Sequence, residues 1–233
     1  MRAILEKEWR LSDGQMTAYQ LFHLMEETAA AHTVEMGIPR PFMVERYGAV
    51  WMIVRAWMQL ERQPELSAPL TVRTWHRGVT GGVVFRDFDL LQNGARIGQA
   101  VQTWVLVDIN SRTLFRMSKV AELADSPRPE VVKDVRPRKL TPPGQLREAA
   151  PLCAGTDSLD VNGHINNAAY VPLALESLPE PVRAVRTLEL NYHHECFAGQ
   201  ALPRLLWQEG KQAYVRLMTP EGLIAFDLQA TAF

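Results

Sequence analysis

Between Asp160 and Asn167 the chain reads Asp160-Val161-Asn162-Gly163-His164-Ile165-Asn166-Asn167, which places a carboxylate, an amide and an imidazole within five residues. The run leads into Tyr170 and Glu176 and stands just before an expected helix start. A helix start offers unpaired N–H groups and partial positive charge. Such a set suits a reaction in which an oxygen gains negative charge, as when a thioester carbonyl is attacked.

Positioning these groups requires a fold, and the element pattern reads as two similar halves. In the first, a short strand near residues 3–10 precedes a helix from Thr17 to Met36. Thr17 and Gln20 form a capping box, and Gly37 and Pro39 supply the stop. Leu21, Leu24, Met25, Thr28, Ala31 and His32 share one helix face. Strands follow at about 49–61, 69–77, 82–91 and 95–108. Val50, Met52, Val54, Ala56, Met58 and Leu60 alternate along the first of them. Gly81-Gly82 and Asn93-Gly94 are turn signals. The stretch 119–148 carries Pro127, Pro129, Pro137, Pro142 and Pro143 and reads as a linker.

The second half repeats the order, with a strand near 151–157, the polar run, a helix over 167–178 and strands near 183–196, 201–209, 212–219 and 222–232. Two local echoes support duplication. Asp13-Gly14-Gln15-Met16-Thr17 parallels Asn162-Gly163-His164-Ile165-Asn166, and Asn93-Gly94-Ala95-Arg96-Ile97 parallels Glu221-Gly222-Leu223-Ile224. The class is α+β, with the apolar face of a helix on the concave face of an antiparallel sheet in each half. Pro172 is awkward for a helix capped at Asn167, because it falls just past the first turn.

Composition narrows the function classes. The chain has 233 residues, 47% hydrophobic and 22% charged, with a net charge of −1, so no global field points to nucleic acid. Cys153 and Cys196 form no disulfide framework. The first residues lack the apolar core of a signal peptide, and no apolar run approaches the ~20 residues of a bilayer span. A soluble, cytoplasmic chain is expected. His164, His193 and His194 show no metal-ligand spacing, so neither a metal nor a cofactor is expected.

Leu159 to Asn167, with Tyr170 and Leu175-Glu176, resembles the central motif of the acyl-ACP thioesterases. About thirty residues downstream, Leu188-Glu189-Leu190-Asn191-Tyr192-His193-His194-Glu195-Cys196 resembles that family's second motif, which ends in Glu-Cys. The departures are mild: His193-His194 stands where basic residues are common, and Pro172 where no proline is expected. The resemblance implies two tandem hot-dog domains, each a long helix wrapped by a curved antiparallel sheet. It gives an acyl-chain-binding domain over 1–120, a linker over 121–148 and a catalytic domain over 149–233. It implies hydrolysis of fatty acyl groups from acyl carrier protein, with release of free fatty acid. Asp160, Asn162, His164, Glu195 and Cys196 match the family's catalytic positions.

Thioester hydrolysis needs a nucleophile, its base, a dipole for the oxyanion and room for an apolar chain. The leaving thiol, with a pKa of about 8.5, needs little acid help. Glu195 is the preferred base for water, provided burial raises its pKa. His164 and Asn162 hold and polarise the reacting groups, and Asp160 orients one of them. Asn166 or Asn167 caps the helix and leaves adjacent N–H groups for the carbonyl. In the alternative, Cys196 is a nucleophile with His164 as base. Neighbouring residues on a regular strand face opposite ways, so Glu195 and Cys196 share a site only if the strand ends or bulges there. Leu21, Met25, Met52 and Val54 are the expected lining of the chain tunnel. Gln15, standing where the second half has His164, suggests a first half that holds substrate. Lys133, Arg136, Arg138, Lys139, Arg183 and Arg186 are the candidate cations for an acidic carrier protein. A hot-dog acyl-CoA thioesterase and a non-catalytic acyl-binding module are the competing readings, and either a monomer or a homodimer fits.

Overall fold

The computed structural model describes residues 3–11, 17–124, 134–153, 165–175 and 184–233. Strand β1 (Leu5–Trp9) leads to helix α1 (Ala18–Glu35), whose start is set by the expected capping box. The Gln20 amide donates to the Thr17 hydroxyl at 3.2 Å, and the Thr17 amide donates to the Gln20 side chain at 2.8 Å. Two otherwise orphaned N–H groups are thereby satisfied. The helix ends at Met36, and Gly37 turns the chain with φ +73°. Helix α2 (Arg40–Tyr47) then closes on Gly48, whose φ of +60° suits a residue without a side chain.

Four long strands complete the first half: β2 (Ala49–Leu60), β3 (Leu70–Thr80), β4 (Val83–Gln92) and β5 (Ala95–Asp108). Gly81-Gly82 and Asn93-Gly94 make the hairpin turns, all four residues with positive φ, as a two-residue primed turn demands. Short helix α3 (Ala121–Ala124) falls inside the stretch expected to be pure linker.

The second half contributes β6 (Arg147–Cys153), a 3₁₀ turn at Asn167–Ala169, α4 (Tyr170–Leu175), β7 (Val185–Tyr192), β8 (Ala201–Glu209), β9 (Gln212–Met218) and β10 (Ile224–Ala232). Pro172 is accommodated because the α-helix starts at Tyr170, later than expected. The proline then lies in its first turn, where the missing N–H has no intrahelical partner anyway.

The ten strands of the described residues form one antiparallel sheet in the order β1-β3-β4-β5-β2-β7-β10-β9-β8-β6. Reading outward from the β2–β7 seam, each strand of the first half has its counterpart in the second: β5 with β10, β4 with β9, β3 with β8, β1 with β6. This mirrored order is the structural form of the duplication. The seam itself pairs Arg55 with Asn191, Ala56 with Leu190 and Met58 with Leu188. One core crosses it, running from Leu21, Phe22 and Met25 of α1 to Val171, Leu190 and Phe226. Each of those large side chains contributes about 1.5–3 kcal/mol through burial.

One expectation about β2 needs correction. The register slips between Ile53 and Arg55, a β-bulge that interrupts the alternation. Beyond it Ala56, Met58 and Leu60 face α1, as expected. Before it Ile53 takes that role, so Met52 and Val54 turn to the other face, where they pack beside the cluster of Met43, Val105 and Met117.

The chain from residue 134 to 146 has no regular secondary structure and is tied to the sheet over residues 135–140. Arg77 donates to the Val135 carbonyl at 2.9 Å while pairing bidentately with Asp87. The Arg136 guanidinium stands 5.8 Å from the centre of the Phe85 ring. Asn191 then clamps this stretch, accepting from the Leu140 amide at 2.8 Å and donating to the Arg138 carbonyl at 2.9 Å. Among the described residues, no helix is long and apolar enough to cross a membrane.

Candidate active site

Asp160, Asn162 and His164 lie outside the described residues, as do Gln15 and Glu176. Ile165 is described, and it ties the first motif to the second: its amide donates to the Cys196 carbonyl at 2.8 Å. Segments about thirty residues apart in sequence therefore meet at Glu195-Cys196.

Strand β7 ends at Tyr192, short of the expected 196. Glu195 and Cys196 are thus off the regular strand, and the two-face rule does not force them apart. Cys196 is fully buried, with its amide donating to the Tyr170 hydroxyl at 3.2 Å. Burial pushes the Cys196 thiol above its ordinary pKa, and the Tyr170 hydroxyl beside it only partly offsets this. A thiol in that state is a poor source of thiolate. Glu195 is exposed rather than buried as expected of it, and forms an ion pair with Arg112 (Oε2 to Nη1, 3.1 Å).

Arg112 belongs to the first half. Its turn follows β5 and is held by the Asp108 carboxylate, which accepts from the Asn110 and Ser111 amides and the Ser111 hydroxyl. Those three hydrogen bonds hold the Asp108 carboxyl below its usual pKa. The turn sets Arg112 at φ +56°. Nothing in the sequence singled out Arg112, because the contact spans 83 positions between the halves. The pair is exposed, so Arg112→Ala should change stability by less than about 1 kcal/mol. It should nevertheless lower kcat, by up to about 10²-fold if Glu195 is displaced by ~1 Å. Steady-state kinetics beside a urea melt would separate the two effects, and Arg112→Lys should recover part of the loss.

Asn166 caps the 3₁₀ turn as expected, its Oδ1 accepting from the Ala168 amide at 2.8 Å. The cap leaves the Asn166 and Asn167 amides at the start of the 3₁₀ turn, the end of a helical segment where N–H groups can face a developing oxyanion. Tyr192 donates to the Asn167 carbonyl at 3.1 Å. Tyr170 and Tyr192 both pack on the buried Phe226 ring, with centroids 5.0 and 5.1 Å away.

A cavity of about 210 Å³ opens in the first half, walled by Ala29 and Ala30 of α1 together with Met36, Ile38, Trp51 and Trp104. None of Leu21, Met25, Met52 and Val54 lines it. Leu21 and Met25 are in the closed core, and the bulge turns the other two away. The available signal was the run Ala29-Ala30-Ala31, whose small side chains leave space beside the helix.

Glu26 is at the edge of this cavity that faces the second half. Burial first, then neighbouring Glu27, raises its pKa from 4.5 to about 7. Burial and the Glu26 carboxyl in turn push the Tyr192 hydroxyl well above its ordinary value. Glu26 thus acts electrostatically on Tyr192, which packs edge-on against Tyr170 beside the Cys196 amide. Between pH 4.5 and 7 the folded chain binds more protons at Glu26 than the unfolded chain, so this contribution to stability falls as pH rises. Glu26→Gln should therefore be more stable than wild type above pH 7, by at most about 3 kcal/mol, and should have no advantage at pH 4. Urea midpoints at the two pH values would check this.

Two of the histidines considered as metal ligands are engaged elsewhere: His193 Nε2 lies 3.2 Å from Asp227, and His194 Nδ1 donates to the Ile224 carbonyl at 2.7 Å. Among the described residues, no group of three or more side chains could hold a metal ion.

Comparison with known proteins places this geometry in a family. The family model for the acyl-ACP thioesterase N-terminal domain matches residues 11–123, and that for the C-terminal domain matches 155–218. Curated relatives include oleoyl-acyl carrier protein thioesterase 2 of Arabidopsis thaliana, 23% identical over 87% of this chain and 61% of its own length. A palmitoyl-acyl carrier protein thioesterase of Gossypium hirsutum is 26% identical over 83% of this chain and 51% of its own length. The chain thus spans between half and two thirds of these relatives. An acyl-ACP thioesterase from Bacteroides thetaiotaomicron superposes with a TM-score of 0.89 at 19% identity, covering 98% of this chain and 97% of that one. The 12:0-ACP thioesterase from Umbellularia californica gives 0.85 at 18% identity, covering 99% and 97%. The structural likeness shows the fold, a tandem hot-dog arrangement, and the family models covering both halves show that the chain belongs to the acyl-ACP thioesterase family.

Proposed function

We propose that this chain hydrolyses the thioester of fatty acyl-acyl carrier protein, releasing free fatty acid and ending chain elongation. The observation that carries the reading is the meeting of the two motifs through Ile165 and Cys196, in line with an apolar cavity in the other half. In this reading residues 1–120 hold the acyl chain, 121–148 link and 149–233 carry the chemistry. Glu195 takes a proton from water, and the resulting hydroxide attacks the thioester carbonyl. Asn162, His164 and the Asn166 and Asn167 amides stabilise the oxyanion, and Asp160 orients its neighbours. Collapse expels the carrier's thiolate. Arg112 is a positioning residue for Glu195. The buried, pKa-raised Cys196 thiol favours direct attack by water over an acyl-enzyme.

Exposed Arg136, Arg138, Lys139 and Arg186 are available to an acidic carrier. The test is turnover of one acyl chain on carrier protein and on CoA, with free fatty acid as the readout. Faster hydrolysis from the carrier, weakening with salt, is expected. Equal or faster release from CoA would remove the carrier protein from the account.

A further inference from the structure

The cavity wall is not purely hydrocarbon. Arg86 lines it and is 5% exposed. Its guanidinium donates to His32 Nδ1 at 2.9 Å and to the Thr74 hydroxyl at 3.3 Å, and faces the Met36 sulfur at 4.0 Å. All three partners are neutral acceptors; to accept from Arg86, His32 must carry its proton on Nε2. The adjacent carboxylate, Asp87, is taken by Arg77. Among the described residues Arg86 forms no salt bridge. Burial alone lowers its pKa, to about 10, with no anion to offset the effect. Trp51, also on the wall, has a buried Nε1–H with no acceptor among the described residues.

A buried guanidinium is ordinarily paired with an anion, because an uncompensated charge in a protein interior is costly. Here the cation and a second donor belong to a cavity wide enough for a ligand. We propose that Arg86 is a subsite for an oxygen group at the far end of the acyl chain, and that the substrates include acyl chains ending in a carboxylate. The inference rests on the acyl-thioesterase reading and specifies its substrate class.

Position along α1 assigns the group to the distal end. Glu26 adjoins the catalytic half, whereas Arg86 touches His32 and Met36, about 9–15 Å further along the helix axis. A carboxylate entering there meets a cation whose desolvation the fold already bears, so only its own desolvation opposes binding. A plain methyl end would instead leave the guanidinium with its neutral partners alone.

The test uses carrier-protein thioesters of matched length ending in methyl, hydroxyl or carboxylate. Wild type should hydrolyse the carboxylate-ended chain with kcat/KM at least about tenfold above the methyl-ended one, the worth of a charged hydrogen bond. Arg86→Met should abolish that preference while retaining hydrolysis of the methyl-ended chain. If Arg86→Met does not fold, the wild-type comparison decides alone. Equal or slower turnover of the carboxylate-ended chain by wild type would overturn the inference and leave the thioesterase reading intact. So would preference for the hydroxyl-ended chain over both. If no thioester is hydrolysed, that reading fails, and calorimetry with free dicarboxylic and monocarboxylic acids of matched length decides the subsite. Tighter binding of the dicarboxylate supports it, and equal binding overturns it.

Discussion

Glu195→Ala is expected to lower kcat for acyl-carrier-protein hydrolysis by about 10²–10⁴-fold, the usual contribution of a positioned general base. Cys196→Ala should retain substantial hydrolysis. The asymmetry follows from the environments of the two side chains. Glu195 is exposed and held by Arg112, so its carboxylate can reach both water and substrate. Cys196 is fully buried, its amide is engaged by Tyr170, and burial raises its thiol pKa. The reverse outcome, with loss in Cys196→Ala and activity in Glu195→Ala, would make the thiol the nucleophile.

Phe226→Ala should lower the free energy of unfolding by about 3–5 kcal/mol. Its ring is fully buried and is the shared surface under Tyr170 and Tyr192. Tyr170 supports Cys196 and Tyr192 supports Asn167, so the cavity left behind would loosen both motif segments. Against a typical total stability of about 5–15 kcal/mol, the loss is large. A urea titration should show a lower midpoint with an unchanged slope. A change below about 1 kcal/mol would mean that the three rings do not depend on one another.

What could be read from the chain was local. Thr17 and Gln20 announce a helix start, and Gly81-Gly82 and Asn93-Gly94 announce hairpins, because each acts through bonds a few residues long. The doubled element order was also legible, and the mirrored sheet reflects it. What escaped was non-local or irregular. The bulge at Ile53–Arg55 leaves no composition signature, and it reversed the facing of Met52 and Val54. For Glu195 and Cys196 to share a site β7 had to end or bulge near them, and the residues alone do not fix which; it ends at Tyr192. The Arg112–Glu195 pair and the β2–β7 seam depend on how the halves meet. Arg86 looks like an ordinary strand arginine until the helix packs over it.

The most direct test of the account is rapid-quench mass spectrometry of the protein during turnover of an acyl carrier protein substrate. Direct water attack predicts that free fatty acid and free carrier appear together without a burst, and that the chain never gains acyl mass. A burst of free carrier, with an acyl group on Cys196, would contradict it.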